Sequence, residues 1–217
     1  MGPPQADPEL WREYLDGALA VYSGFGAEDA VEYDAWLDGA TTAIFAVALD
    51  SDGKVVAGMR AEGPHSHVDQ VHAVRSWDGR PGDAAFRKFV AEQIPFGVVE
   101  SKTGWVSRSV EDRHILANWI PRACVETTLV LGARYSTGIT PSHVVNRYRT
   151  TGMNVVWWVP TSGYPDDRYV TCPVWWDMET YASLGTPEQA RYIEIEMAEL
   201  RASGEAGGAQ GEGLAQA

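Results

Sequence analysis

Apolar residues recur at helical spacing near the start of the chain and at strand spacing shortly afterwards. Residues 7–22 open with an Asp-Pro pair suited to a helix start and repeat apolar side chains every three or four positions. We expect a second helix within residues 27–40. The segment 43–61 then holds two apolar runs around Asp52-Gly53, a turn pair typical of a β-hairpin. The chain therefore changes from helix to antiparallel sheet.

The rest of the chain alternates helical and strand patterns. Residues 61–82 are rich in Gly, Pro, His and Ser, and they predict an irregular segment with a short strand near 70–77. Because proline is tolerated only in the first turn of a helix, Pro121 predicts that helix 118–133 begins near Asn118. The other predicted elements are helix 84–94, strands 104–110 and 134–140, helix 140–152 ended by Gly152, strands 153–159 and 168–176, and helix 186–200.

This order of elements predicts an α+β fold whose sheet mixes antiparallel and parallel strand pairs. The chain has 217 residues, of which 45% are hydrophobic, enough to bury a single core. We expect one domain over residues 1–202. Residues 203–217 are rich in Gly and Ala with almost nothing to bury, so we expect a disordered tail.

Charge is unevenly distributed along the chain. The formal net charge of −13 argues against nucleic-acid binding, since attraction to phosphates needs clustered Lys and Arg. Residues 101–150, however, hold seven basic side chains against three acidic ones. A basic cleft in an acidic protein favours anionic ligands, although these arginines could equally be solvated surface groups.

Cysteines, histidines and leader patterns exclude several classes of protein. Cys124 and Cys172 are too few for a disulfide scaffold or a zinc site, and we expect both to be buried. A cluster of His65, His67, Asp69 and His72 allows a metal-binding interpretation, but without predictable geometry we expect no metal. With neither a signal-peptide pattern nor a long apolar run, we expect a cytoplasmic protein that does not enter membranes.

The stretch from Tyr148 to Met153 carries a resemblance to a known family. Its sequence Tyr-Arg-Thr-Thr-Gly-Met ends a predicted helix just before an apolar strand. The stretch resembles the Tyr-x-x-x-Gly-Phe-like ending found in the GNAT acyltransferase superfamily. The resemblance implies a mostly antiparallel, twisted sheet flanked by helices, with a central parallel pair formed by 104–110 and 134–140. That pair would be splayed by the arm of an acyl-CoA or an acyl-carrier protein, and Tyr148 would protonate the departing thiolate.

A second resemblance covers residues 30–110. This region is similar to the acyl-homoserine-lactone (autoinducer) synthase branch, with an acidic-aromatic-Asp segment, a strand ending in Gly-Met-Arg at residues 58–60 and a later Ser-Arg strand. The matching positions imply substrate-binding roles for Glu32, Asp34 and Arg60, and a role in donor binding for Arg108.

The expected pyrophosphate loop departs from the superfamily pattern. Glycines normally let backbone N–H groups at a helix start approach the phosphates, but residues 108–119 contain none. Arg108, Arg113 and His114 could supply charge instead. Loss of cofactor binding is the alternative.

The chemistry we expect is acyl transfer from a thioester to the amine of a small molecule. The amine must lose a proton, for which Glu100 is the first candidate and Asp34 the second. Glu100 could instead form a surface ion pair with Lys102. Backbone N–H groups of Trp105, Val106 and Ser107 would stabilise the oxyanion. The alternative function is a non-catalytic GNAT-like module that binds ligand without reacting.

Overall fold

The structure is a computed structural model that describes the backbone of residues 1–212 and the side chains of residues 1–203. Its helices are α1 Pro8–Ser23, α2 Tyr33–Trp36, α3 His72–Arg75, α4 Asp83–Gln93, α5 Arg113–Val130, α6 Val145–Arg149, α7 Tyr181–Leu184 and α8 Pro187–Glu212. Its strands are β1 Ile44–Leu49, β2 Val55–Glu62, β3 Val98–Val106, β4 Tyr135–Pro141, β5 Asn154–Val155, β6 Ser162–Gly163 and β7 Val170–Asp177.

The strands form one mixed sheet in the order β1-β2-β3-β4-β7-β5, and β6 also pairs with β7. All neighbours are antiparallel except the central pair β3 and β4, which run parallel. Helices flank this sheet. The α+β class and the mostly antiparallel sheet with a central parallel pair, expected from the sequence and the GNAT resemblance, are confirmed.

Strand β2 lies at the centre of the core because helices cover both of its faces. All eight of its residues are buried. On one face Gly58 leaves room for the ring of Tyr14 from α1, since a Cβ there would stand 2.6 Å from that ring. On the other face Met59 belongs to the cluster that contains Ala123 of α5 and Ile193 of α8. The sheet is therefore held between α1 and the α5–α8 pair.

Two local predictions were wrong because distant side chains decide the local structure. The segment 70–77 forms the short helix α3 instead of a strand, and Glu100 of β3 accepts hydrogen bonds from two backbone N–H groups at the start of that helix. Helix α5 begins at Arg113, five residues before the predicted start, and keeps Pro121 in its interior. The buried packing of Pro121 and its neighbours offsets the backbone hydrogen bond that proline cannot donate.

Strand boundaries also differ from the predicted ones. β3 begins at Val98, well before Gly104, because Val98, Val99 and Glu100 are buried and pair with a neighbouring strand. The predicted strand 153–159 is reduced to Asn154–Val155, and Trp157 beyond it is 81% exposed.

Helix α8 begins at Pro187, close to the predicted start, and the hydroxyl of the preceding Thr186 accepts the N–H of Gln189 at 3.3 Å. The helix runs to Glu212, into the segment 203–217 for which we expected disorder. The last five residues of that segment, 213–217, lie outside the described residues. Within the described part of the chain, no helix combines the length and apolar character needed to cross a membrane.

Candidate active site

The two central parallel strands, β3 and β4, are hydrogen-bonded to each other over only a short region. Their pairing covers three residue pairs and ends at Glu100 and Thr137. The hydroxyls of Ser101 and Ser136 lie 2.8 Å apart at this point. Gly138 permits the close approach, since a Cβ there would lie 2.9 Å from the carbonyl oxygen of Ser101. Beyond it the strands diverge and leave a wedge between them.

A cavity of about 660 Å³, which we call the main cavity, opens at this wedge. It is lined by residues 101–106 of β3 and 138–141 of β4. One part of its wall is mainly apolar and includes Met59, Ile120, Cys124, Tyr148 and Trp176. Another part carries polar and aromatic groups, namely Trp36, His72, Glu100, Lys102 and Tyr164.

Tyr148 lies at the wedge, on α6. Its ring is tilted against Trp176 with 5.9 Å between centroids. Its hydroxyl lies 3.5 Å from the position that a Cβ on Gly104 would take, so it faces the β3 side of the opening. Burial raises the pKa of Tyr148 well above the ordinary value. The phenol therefore keeps its proton at neutral pH and is available as a donor.

Glu100 is buried in the polar part of the same cavity. The residue is only 1% exposed, and its two carboxyl oxygens accept hydrogen bonds from the backbone N–H groups of His72 and Ala73, each at 2.7 Å. Burial raises the pKa of Glu100, with Glu62 adding to the effect and Lys102 opposing it. The alternative prediction, a surface ion pair between Glu100 and Lys102, is wrong. The Glu100 carboxyl is buried, and the Lys102 ammonium donates to Glu62 at 3.3 Å.

Arg60 lies behind the polar wall, fully buried. Its guanidinium stacks on the Trp36 ring at 3.8 Å and donates to Thr42 and Glu62 at 2.9 and 2.6 Å. Among the residues that the structure describes, its Nε and Nη2 atoms are buried without a hydrogen-bond partner. Arg60 therefore holds Trp36 and Glu62 in place. Trp36 lines the main cavity, whereas Arg60 does not.

The other two expected substrate-binding residues lie elsewhere. Glu32 and Asp34 are exposed at the start of α2 and do not line the main cavity. Their substrate-binding role remains a prediction.

Four of the six expected donor-binding residues line the cavity, namely Trp105, Val106, Arg113 and His114. Ser107 and Arg108 do not. The N–H of Ser107 donates to the carbonyl of Val56 at 2.8 Å, so it is already engaged and does not suit the expected oxyanion role.

Arg108 instead holds the loop that follows α1. Its Nη2 donates to the Gly24 carbonyl at 2.8 Å, and its guanidinium lies 4.0 Å from the Phe25 ring centroid. Tyr169 donates to the Phe25 carbonyl at 2.7 Å, and Arg168 donates to the Gly26 carbonyl. Because Phe25 and Tyr169 both line the main cavity, these contacts form a latch across its edge.

Several cavity residues were not identified from the sequence. His72, Tyr164 and Trp36 lie on separate segments that only the fold brings together. His143 and Arg147 also line the cavity, together with Arg113 and His114. A signal for Arg147 was present, since it precedes Tyr148 within the basic third of the chain.

Within the part of the chain that the structure describes, the four loop residues considered as metal ligands, His65, His67, Asp69 and His72, do not form one ligand group. His67 and Asp69 pair with each other on the surface. Among the described residues, Glu62, His65 and Glu100 have ligand atoms within 4.8 Å of one another. The ammonium of Lys102 already bonds Glu62, and its positive charge opposes a metal cation there.

Comparison with known proteins identifies relatives in sequence and in structure. No model of a known protein family matches the chain. The uncharacterized proteins Rv1356c of Mycobacterium tuberculosis and Mb1391c of Mycobacterium bovis are 39% identical over 197 residues, covering 91% of this chain and 75% of each relative.

Solved acyltransferases share the fold. FeeM, an N-acyl amino acid synthase from uncultured soil microbes, superposes with a TM-score of 0.57 at 12% identity, covering 83% of this chain and 97% of FeeM. BjaI, a CoA-dependent acyl-homoserine lactone synthase, gives 0.55 at 13% identity, covering 90% and 85% of the two chains. An aminoglycoside 6'-acetyltransferase of type Ii gives 0.51 at 11% identity, covering 82% and 96%. The chain therefore has the GNAT acyltransferase fold and belongs to the same protein family as Rv1356c of Mycobacterium tuberculosis.

Proposed function

We propose that this protein is an N-acyltransferase that moves an acyl group from a thioester, carried by CoA or by an acyl-carrier protein, to the amine of a small molecule. The observation that carries the proposal is the wedge between β3 and β4, with Tyr148 facing its opening and Glu100 in the same cavity. The fold shared with N-acyltransferases supports it. A cytoplasmic location remains part of the proposal.

The donor would enter through the wedge. The arm of a thioester donor is long and narrow, which matches a gap between two strands. Arg113, His114, His143 and Arg147 line the cavity and would meet the phosphates of CoA or of a carrier's phosphopantetheine. Of these residues, Arg113 and His114 lie in the segment 108–119 that lacks the expected glycines, and the guanidinium groups of Arg113 and Arg147 supply positive charge.

The acceptor would enter from the polar part of the cavity. Its ammonium loses a proton to Glu100, directly or through one water, and the amine nitrogen then attacks the thioester carbonyl. The raised pKa of Glu100 makes it a better base than an ordinary carboxylate.

Collapse of the tetrahedral intermediate breaks the carbon–sulfur bond. The sulfur leaves with the electron pair and takes the phenolic proton of Tyr148. The attacking nitrogen loses its second proton as the amide forms, and this proton restores the Tyr148 phenol directly or through solvent. Glu100 releases the first proton to solvent, and the products are an amide and a free thiol. Acid and base assistance of this kind contributes about 10²- to 10⁴-fold in rate.

A non-catalytic binding module is the second candidate. Two observations favour it: both oxygens of Glu100 already accept backbone N–H groups, and residues 108–119 lack glycine. Such a protein would keep the cavity without the chemistry.

A thioester-cleavage screen tests the two functions. Purified protein is incubated with acyl-CoA and acyl-carrier proteins of increasing chain length, with and without a mixture of amines, and free thiol and acylated amine are measured. Amine-dependent thiol release with a matching amide product supports the transferase. Calorimetric binding of the donors without release over the whole series would favour the binding module.

A further inference from the structure

A β-bulge interrupts strand β3 where this strand borders the wedge. The pairing of β2 with β3 shifts register between Gly58 and Arg60. At this point two residues of β3, Thr103 and Gly104, lie opposite the single residue Met59. The extra residue of a bulge is left out of the regular hydrogen bonding between strands, so its peptide groups can face another way. Thr103 and Gly104 both line the main cavity.

Thr103 has an unusual backbone conformation. Its φ is +51°, and among the residues whose backbone the structure describes it is the only one other than glycine with a positive φ. This left-handed region is unfavourable for a β-branched residue, because the side chain crowds the backbone there. Such a conformation persists only where the surrounding structure holds it, and it is common at functional sites. A contact that holds Thr103 is therefore expected.

Tyr14 of α1 supplies this contact. Its hydroxyl donates to the Thr103 carbonyl oxygen at 2.9 Å, and the residue is fully buried. The Tyr14 ring stacks on Trp11 with 5.2 Å between centroids and lies against Gly58, so the core fixes the position of the hydroxyl. Burial raises the pKa of Tyr14 far above its ordinary value. The hydroxyl therefore keeps its proton and remains a donor.

The peptide bond between Thr103 and Gly104 connects this contact to the wedge. A trans peptide is planar, and its C=O and N–H groups point in opposite directions. Because the Thr103 carbonyl points to Tyr14, the Gly104 N–H points away from α1. The opposite face of the sheet carries Ile120 and the Tyr148 hydroxyl, which lie 2.9 and 3.5 Å from the position of a Cβ on Gly104. The Gly104 N–H is thus directed to the side of the wedge that holds the proton donor.

We propose that Tyr14 is a positioning residue, which holds Thr103 in its left-handed conformation and so directs the Gly104 N–H toward the thioester carbonyl oxygen of the bound donor. This inference rests on the acyl transfer proposed above. Negative charge gathers on that oxygen as the tetrahedral intermediate forms, and an N–H group already fixed in direction stabilises it. The hydrogen bond from Tyr14 also polarises the same peptide group, which makes its N–H a stronger donor.

Steady-state kinetics of Tyr14→Phe test the proposal, because this substitution removes the hydroxyl and keeps the packed ring. We expect kcat to fall about ten- to hundredfold. The KM for the acyl donor should change less than about twofold, since the contact strengthens mainly in the transition state. Tyr33→Phe is the matched control and should keep the kcat of the unaltered protein. The Tyr33 hydroxyl also bonds α1, at Asp16, but Tyr33 does not line the main cavity.

Adding Thr103→Gly to the Tyr14→Phe variant separates positioning from general packing. Glycine adopts a positive φ without crowding, so the bulge no longer depends on the hydroxyl to hold it. We expect the double variant to exceed the kcat of Tyr14→Phe at least about fivefold. A loss of packing alone would lower the thermal midpoint and the folded fraction, and Thr103→Gly would not relieve it. Circular dichroism gives the folded fraction, so that each kcat refers to folded protein.

The outcomes distinguish this inference from the proposed function. In an active transferase, a full kcat in Tyr14→Phe would overturn the inference alone. An equal loss in Tyr33→Phe, or a double variant no faster than Tyr14→Phe, would do the same. An unaltered protein that transfers no acyl group to an amine would overturn the proposed function and this inference together.

Discussion

The backbone N–H of His72 donates to Oε2 of Glu100 at 2.7 Å and so joins the start of α3 to the central strand β3. The same carboxyl therefore has two roles in this account. It caps a short helix, and it supplies the base for the proposed reaction. Variants at position 100 must separate these roles.

Replacing Glu100 with glutamine should remove the base while keeping most of the cap. We expect turnover to fall about 10²- to 10⁴-fold. Because only one amide oxygen remains as an acceptor, the free energy of unfolding should drop by about 1 to 3 kcal/mol. Glu92→Gln, on the exposed face of α4, is the matched control and should change neither quantity.

The pH profile supplies a second readout for Glu100. Because burial raises its pKa, the carboxylate form should be lost at a higher pH than for an ordinary glutamate. Turnover of the unaltered protein should therefore fall as the pH decreases through this raised pKa. An acidic limb that persists unchanged in Glu100→Gln would assign it to another group.

Replacing Tyr148 with phenylalanine should lower turnover about 10²- to 10⁴-fold while leaving the free energy of unfolding within about 1 kcal/mol. The ring packing on Trp176 is kept, and only the proton donor is removed. Tyr135→Phe is the control, since Tyr135 does not line the main cavity. Steady-state thiol release and thermal denaturation measure the two effects, and full activity in Tyr148→Phe would refute the acid role.

Adding a methyl group at Gly104 should obstruct the reaction centre. A Cβ there would lie 2.9 Å from Ile120 Cγ2 and 3.5 Å from the Tyr148 hydroxyl. We expect Gly104→Ala to weaken CoA binding at least about tenfold, the equivalent of about 1.4 kcal/mol. Gly2→Ala, where the added Cβ meets no atom within 4 Å, is the control. Unaltered CoA affinity in Gly104→Ala would place the donor elsewhere.

A substitution of Arg108 distinguishes two possible roles of this residue, binding the acyl donor and holding the latch at the cavity edge. In the structure it contacts Gly24 and Phe25, so Arg108→Ala should increase amide hydrogen exchange in residues 23–27. We expect the CoA affinity to change less than about twofold and the acceptor KM to rise. Tyr169→Phe, which removes another latch contact, should act in the same direction. A loss of CoA affinity without faster exchange would favour the donor-binding role predicted from the sequence.

His72 should make stability depend on pH. Burial and the nearby cations lower its pKa to about 4, so the folded state resists protonation that the unfolded chain accepts near pH 6.5. Its contribution to stability is therefore complete above pH 6.5 and is lost as the pH falls toward 4. Glu100, whose pKa is raised, acts in the opposite sense.

Comparing the unaltered protein with His72→Gln isolates the pH-dependent contribution of His72 to the free energy of unfolding. Between pH 7.5 and pH 5 the histidine should account for a loss of about 1 to 2 kcal/mol, a figure reduced for the partial exposure of the ring. Urea denaturation at the two pH values measures it. Equal pH dependence in both proteins would contradict the assignment.

Local sequence signals predicted the parts of this fold that local physics decides. Asp52-Gly53 makes the predicted hairpin turn. The helix predicted over 140–152 is shorter in the structure, Val145–Arg149, and Gly152 follows it in the left-handed conformation with a φ of +83°. The place of Tyr148 at the strand pair was implied by the resemblance of residues 148–153 to the GNAT superfamily, and no local signal gave it.

The remaining features depend on contacts between distant segments. A strand pattern was expected near 70–77, yet a carboxyl from Glu100 caps a helix there. The first part of β3 was not predicted as a strand, because it contains the polar residues Glu100 and Lys102. Their hydrogen bonds to the start of α3 and to Glu62 form only in the folded protein. The latch on Phe25 joins residues more than eighty positions apart, as in the Arg108 to Gly24 bond. No window of sequence contains both ends of such a contact.

A crystal structure of the protein with bound CoA would test the central claim most directly. We predict that the pantetheine arm lies in the wedge between residues 101–106 and 138–141, with its sulfur next to the Tyr148 hydroxyl. An arm bound outside the wedge, or β3 and β4 paired along their whole length with the cofactor on the surface, would contradict it.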